Sequence, residues 1–291
     1  MTPRPSAPAL AWAVRFAGVT PAVVGGGHFI AWMTGFIPRR SEHLAAAGVF
    51  VMKTNAALAL LLAGVALLLL HQTATRGPKR WAGIAASMPV LVIGAMTLSE
   101  HLFHCDLGLD QLLASEPRGA LGVVSPNRMG PAASTSFVLI GLGLLALAWR
   151  RPQPRAAAPF LGLATCGVVL VPAVGYLIGI ASLYGGPRFL AIAWPTVVSV
   201  LLLGIALMLA RRDCGPMAQL LREDVGGVLL RRVLPWMVAV PVALGYLRLQ
   251  GERVGFYDTA TGTGLLVIAL LLFFSLLLWR SAAGLSRAAA R

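Results

Sequence analysis

Three apolar runs in this chain are copies of one another, and that copying constrains the fold more than any single residue. Setting Met52 on Met129 brings Gly64 onto Gly141, a shift of 77 residues. Setting Gly141 on Gly204, a shift of 63, adds a third copy. The copies read VMKTNAALALLLAGVALLLL from Val51, RMGPAASTSFVLIGLGLLAL from Arg128 and AIAWPTVVSVLLLGIALMLA from Ala191. A charged break follows each, and then a second apolar run that carries Gly or Pro. Two of these second runs share a string, VPAVGYL from Val171 and VPVALGYL from Val240. Repetition of this kind implies one helical hairpin used several times.

The length of the runs sets the medium. A hydrocarbon core of about 30 Å takes roughly 20 apolar residues of helix, and eight stretches meet this, at about 10–37, 50–70, 81–103, 131–149, 158–184, 189–210, 233–250 and 262–279. The chain is 58% hydrophobic and 12% charged, against about 25% charged for a soluble domain. The expected fold is therefore all-α, a polytopic integral membrane protein of about eight transmembrane helices built from repeated hairpins. It reads as a single transmembrane domain with repeat-like units at about 50–104, 128–184 and 190–250, flanked by helices 10–37 and 262–279. No remaining segment is long enough for a soluble catalytic domain, so an enzyme is not expected. We call the copied helices A and their Gly/Pro-rich partners B, in the order B-A-B-A-B-A-B-A. Gly64, Gly141, Gly143 and Gly204 mark close approach of helix backbones in the A type. Pro89, Pro172 and Pro241 are expected to kink the B type.

Charge gives orientation. The net charge of +14 looks suited to nucleic acid, but the basic residues sit at span ends, so no nucleic-acid partner is expected. The even-numbered connections and the C-terminal end hold 14 Lys and Arg, and the odd connections hold 8. The acidic residues Glu42, Glu100, Asp106, Asp110, Glu116, Glu252 and Asp258 lie on the second side. Positive loops face the cytoplasm, which predicts both termini inside a bacterial inner membrane. The first run continues to about Ile37, longer than the core of a signal peptide, and is expected to be a retained helix. Cys105, Cys166 and Cys214 fall at three different depths and predict no disulfide framework.

Candidate site residues gather at the outer ends of spans. SEHLFHCD, Ser99 to Asp106, is the densest polar cluster, with His101 and His104 on one face if the helix continues. His101, His104 and Asp106 form a candidate metal set; the alternatives are interfacial histidines without a ligand, or a small-molecule or proton-sensing role. A metal ion is the one cofactor this pattern suggests, and otherwise the cofactor is unknown. His28, after a Gly triplet, and His43 add imidazoles on the same side. Lys53 and Asn55 open the second span, Glu100 closes the third and Arg248 the seventh. Charge in hydrocarbon is costly and marks function, so His28, Lys53, Glu100 and Arg248 are the ligand-sensing candidates. The repeat register suggests a Glu100–Arg248 pair, with snorkelling of Arg248 as the alternative. The cytoplasmic loop 211–232 suits a short interfacial helix attracted to anionic lipid. No nucleotide-binding loop, CxxC, HExxH or catalytic triad spacing is present.

Several strings occur together: TLSEHLFHCDLGLDQLL from Thr97, the run from Arg128, GYLIGIASLYG from Gly175 and GGVLLRRVLPWMVAVPVALGYLRLQGERVGFYD from Gly226. As a set they resemble the multi-helix N-terminal membrane region of bacterial sensor histidine kinases and diguanylate cyclases, the modules called MASE. The resemblance implies a membrane-embedded signal-input role that passes a stimulus to the cytoplasmic side. Here no output domain follows WRSAAGLSRAAAR, so a stand-alone sensor or a truncated relative is expected. A separate kinase, a cyclase or another membrane protein would be the partner, with a homo-oligomer as the expected assembly. The readings from other classes are a small transporter or channel subunit, and a structural subunit of a membrane complex.

Overall fold

The structure, a computed structural model, describes residues 7–39, 50–72, 77–116, 126–149, 155–184 and 192–289, with side chains from 10 to 281 within those ranges. His43 and the basic residues Arg118, Arg150, Arg151 and Arg188 lie outside the described residues. The helices are α1 (Ala7–Met33), α2 (Thr54–Leu70), α3 (Pro78–Phe103), α4 (Pro131–Ala148), α5 (Ala157–Ile178), α6 (Trp194–Ala210), α7 (Gly215–Leu221), α8 (Val225–Arg253) and α9 (Thr259–Ala289), with a 3-10 turn at Ala181–Leu183. They fall into two compact units, Met1–Tyr176 with Ile180–Met217, and Leu177–Gly179 with Ala218–Arg291.

The chain is a multi-pass, all-α membrane protein. Six described helices are long and apolar enough to cross a bilayer, or seven if α6 and α7 make one bent span. That is fewer than the eight expected from hydropathy. The difference lies in the A helices, of which α2 and α6 have 17 residues each. At 1.5 Å per residue such a helix is about 26 Å long. Their apolar runs begin earlier than their helices do, because the chain enters each one extended. Lys53 (φ −71°, ψ 152°), Gly130 (φ −69°, ψ 161°) and Ala193 (φ −68°, ψ 142°) hold nearly the same backbone conformation just before α2, α4 and α6. These three positions are separated by the same 77 and 63 residues that align the sequence copies. Pro131 and Pro195 then occupy the first helical turn, where a missing N–H costs nothing.

In the first unit the A helices are the core. α2, α4 and α6 touch one another, and Leu60, Leu67, Phe137, Ile140, Leu144, Leu203 and Leu207 are buried between them. The B helices lie outside. α1 packs on α2 and α6, and α3 on α4 and α2, while α5 meets Gly204 and Gly143 of α6 and α4 through Cys166 and Leu161. Each B helix therefore lies against its own A helix and against a neighbouring one. Its far face carries residues such as Trp12, Phe16, Trp81 and Phe160, exposed in the isolated chain and suited to lipid.

Small residues make this packing possible. A Cβ on Gly64 would lie 2.4 Å from the Gly18 carbonyl oxygen and 2.7 Å from the Ala22 nitrogen of α1. One on Gly141 would lie 2.8 Å from the Leu91 Cα of α3, and one on Gly204 2.9 Å from the Gly162 oxygen of α5. The three equivalent glycines thus each admit the preceding B helix at the same level. Pro89, Pro172 and Pro241 sit inside α3, α5 and α8 without ending them. The second unit is plainer: α8 and α9 pack on each other, with few of their residues buried.

Because the obstructing atoms at Gly64 are backbone, Gly64→Ala should destabilise the protein by about 1–3 kcal/mol, the usual cost of overpacking. Gly27→Ala on α1, with nothing within 4 Å of the added carbon, should leave the melting temperature in detergent unchanged or raise it.

Candidate functional site

The extended entries to α2 and α4 create an electrostatic problem, and its solution is the most polar place in the first unit. Thr54 begins α2 and is fully buried, with no side-chain cap from Lys53. Its backbone N–H donates instead to Asn127 Oδ1 at 3.1 Å, and its hydroxyl accepts from Asn127 Nδ2 at 3.0 Å. The same Asn127 amide donates to the Asp110 and Ala114 carbonyls at 2.7 and 3.0 Å. Asn127 is itself in the left-handed region (φ 60°), a conformation an asparagine tolerates better than most residues. A single buried asparagine therefore caps one A helix from the segment that leads into the next.

Around it lie two ionic groupings, buried except at Asp106. Lys53 Nζ lies 2.6 and 2.7 Å from the two carboxylate oxygens of Glu116, which also accepts the Asn127 N–H at 2.5 Å. Arg128 Nε is 2.5 Å from Asp110 and 3.3 Å from Glu100, and its Nη2 is 3.3 Å from Asp106. Glu100, 1% exposed, accepts the Leu107 N–H at 2.8 Å. Its second oxygen and Asp110 Oδ1 make no hydrogen bond. Burial disfavours the Arg128 charge, but Asp110, Glu100 and Asp106 outweigh it and hold the guanidinium above its ordinary value. The network ties together the end of α3, the 104–116 turn, and the entries to α2 and α4. Trp32 extends it to α1 by donating to the Met52 carbonyl at 2.8 Å.

The sequence candidates are distributed unevenly over this site. Lys53 and Glu100 belong to it. His28 Nδ1 donates to the Val24 carbonyl at 2.8 Å along α1, and Arg248 belongs to the second unit. Within the first unit Glu100 pairs with Arg128, and within the second Arg248 lies 3.0 Å from Glu252, one turn along its own helix. The helix carrying His101 ends at Phe103, and His104 turns left-handed (φ 53°), so the two imidazoles do not continue one helical face. His101 Nε2 is 2.7 Å from the Met129 carbonyl, and His104 is exposed. Asp106 does join a carboxylate trio, with Glu100 and Asp110, whose ligand atoms lie within 4.8 Å of one another. Arg128 contacts all three, so the balancing positive charge there comes from a guanidinium.

Asp110, Glu116, Asn127 and Arg128 had not stood out as site residues in the sequence. A usable signal was present: Asn127-Arg128-Met129 leads into α4 as Phe50 to Met52 leads into α2, and the carboxylates on that side of the chain cluster between 100 and 116. Beside the network lies a cavity of about 200 Å³, lined by Asn55, Leu58, Val92, Met96, Thr97 and Leu112 among others. Thr97 is 1% exposed and its hydroxyl has no partner, whereas Ser87, Ser136 and Thr165 each donate to the carbonyl one turn back. Compared with protein-family models, curated proteins and solved structures, the chain finds no match.

Removing one partner of a buried pair leaves an uncompensated charge, at a cost of about 3–5 kcal/mol. Glu116→Gln should therefore lower stability by that order in detergent unfolding, and Lys53→Met in the same chain should recover much of the loss.

Proposed function

We propose that this chain is a non-catalytic signal-input module of a bacterial inner membrane, with the stimulus acting where the buried ionic network meets the apolar cavity. One observation carries the reading: a single polar network joins the ends of α2, α3 and α4 and the 104–116 turn. Whatever displaces that turn must move the starts of two core helices, and these run the depth of the unit. The placement of charge favours input over passage. α2, α4 and α6 contain no Asp, Glu, Lys or Arg, and the buried charges of the unit gather at one end. A permeation path would call for polar groups at successive depths. The resemblance of the Thr97 and Gly226 strings to membrane sensor regions points the same way.

In this reading the network holds one of two helix arrangements, and a stimulus shifts the balance by binding one better than the other. The arginine-rich connections face the cytoplasm, and both termini lie there. The 31-residue α9 is about 46 Å long, longer than the hydrocarbon core, and carries the output towards a separate protein.

Two native cysteines report on this. Cys105 lies at the network end and Cys214 at the arginine-rich end of the first unit. A membrane-impermeant maleimide should label Cys105 in intact spheroplasts and Cys214 after permeabilisation; the reverse order would overturn the orientation. Burial raises the Cys214 pKa, so its labelling should be slow at neutral pH and speed up above pH 9. In nanodiscs, a short-chain quinone or Zn²⁺ should change the Cys214 rate several-fold, and Arg128→Gln should abolish the change. Constant rates with both probes would count against the proposal.

A further inference from the structure

The second unit contains a feature that the proposed signalling role does not use. α8 and α9 run antiparallel, and at the end where α8 begins and the apolar part of α9 stops they enclose a groove of about 270 Å³. It is lined by Arg232 of α8 and Arg280 of α9 together with Trp236, Phe273, Leu276 and Leu277. Trp236 and Phe273 face each other across it with ring centroids 6.3 Å apart. Phe273 lies seven residues before Arg280, so the apolar wall extends about 10 Å from the guanidinium level into the span.

Three observations give the groove a chemistry. First, the neighbouring arginines are satisfied: Arg231 donates to the Leu220 and Arg222 carbonyls, and Arg222 pairs with Asp224 at 2.7 Å. Arg232 and Arg280, which line the same groove, have no hydrogen bond or ion pair among the described residues. Second, Ser281 lines the same groove, is 2% exposed, and its hydroxyl has no partner. Thr263 on the same helix shows the usual alternative by donating to the Thr259 carbonyl at 2.7 Å. Third, the rest of the lining is aliphatic and aromatic. Two arginines without a partner among the described residues, a buried hydroxyl without one, and an apolar wall about 10 Å deep match a phosphate ester carrying an acyl chain.

We propose that this groove binds one anionic phospholipid of the phosphatidylglycerol class. The phosphate lies between Arg232 and Arg280, where guanidinium geometry suits it, and one acyl chain lies along Trp236 and Phe273. A zwitterionic lipid brings its own cation to the same place and gains less. The assignment depends on the membrane interface at that end of the hairpin, and not on the direction in which a signal passes.

The test is native mass spectrometry of the full chain released from detergent with phosphatidylglycerol or phosphatidylcholine added. The expected result is one retained phosphatidylglycerol per chain, bound more tightly than phosphatidylcholine. Arg232→Gln and Arg280→Gln should each weaken it about fivefold, from the usual contribution of one arginine near an anionic surface. Arg232→Lys, which keeps the charge, should recover most of the loss. Arg212→Gln, basic but outside the groove, should have no effect; an equal effect there would mean diffuse attraction and overturn the site. Equal retention of both lipids, or unchanged retention in the double glutamine variant, would also overturn it. So would binding of glycerol 3-phosphate as tight as that of the lipid, since it has no acyl chain. A dimer that takes up lipid only after dissociating would show that a second copy covers the groove instead.

Discussion

The first unit depends on how a helix that begins inside an apolar bundle satisfies its own amide ends. α2 starts at a fully buried threonine, and no side chain of its own caps it. An orphaned amide there would cost as much as a lost hydrogen bond, with no water to offset it. Asn127 meets that need, and in doing so fixes the segment before α4 against the segment before α2. Once the asparagine is buried, the charges beside it must be paired as well: Lys53 with Glu116, and Arg128 with Asp110, Glu100 and Asp106. The polar network and the short A helices are therefore two sides of one arrangement.

The glycines set the remaining distances. Equivalent residues in the three A helices, Gly64, Gly141 and Gly204, each bring a B helix to backbone contact. In lipid, where apolar burial does not drive helices together, such contacts and the hydrogen bonds between segments supply much of the association. The result is a core of three related helices with three related partners around it. The second unit follows another plan: its hairpin packs chiefly on itself, and its exposed apolar faces belong to lipid or to another chain.

The A helices were legible because their copies share length, composition and a glycine at one level. The three entry residues Lys53, Gly130 and Ala193 then adopt nearly the same conformation. Hydropathy registers apolar residues whether they are helical or extended, so Phe50 to Met52 and Ile192 looked like helix. Lys53 and Glu100 stood out as charges at span ends. Their partners did not, because Glu116, Asn127 and Arg128 come from a connection whose path no periodicity describes. The i,i+3 spacing of His101 and His104 misled for a similar reason: a left-handed residue ends the helix between them.

The sequence alone determined the medium, the helical class and the repeat, since apolar run length and internal copying are local properties that survive any choice of packing. Tertiary structure decided which charges meet. Glu100 faces Arg128, and Lys53 faces Glu116 across 63 residues of chain, because electrostatic partnership in a dry interior depends on distances of a few ångströms. Those distances are set by how the connections fold back over the bundle, and no spacing in the chain encodes them.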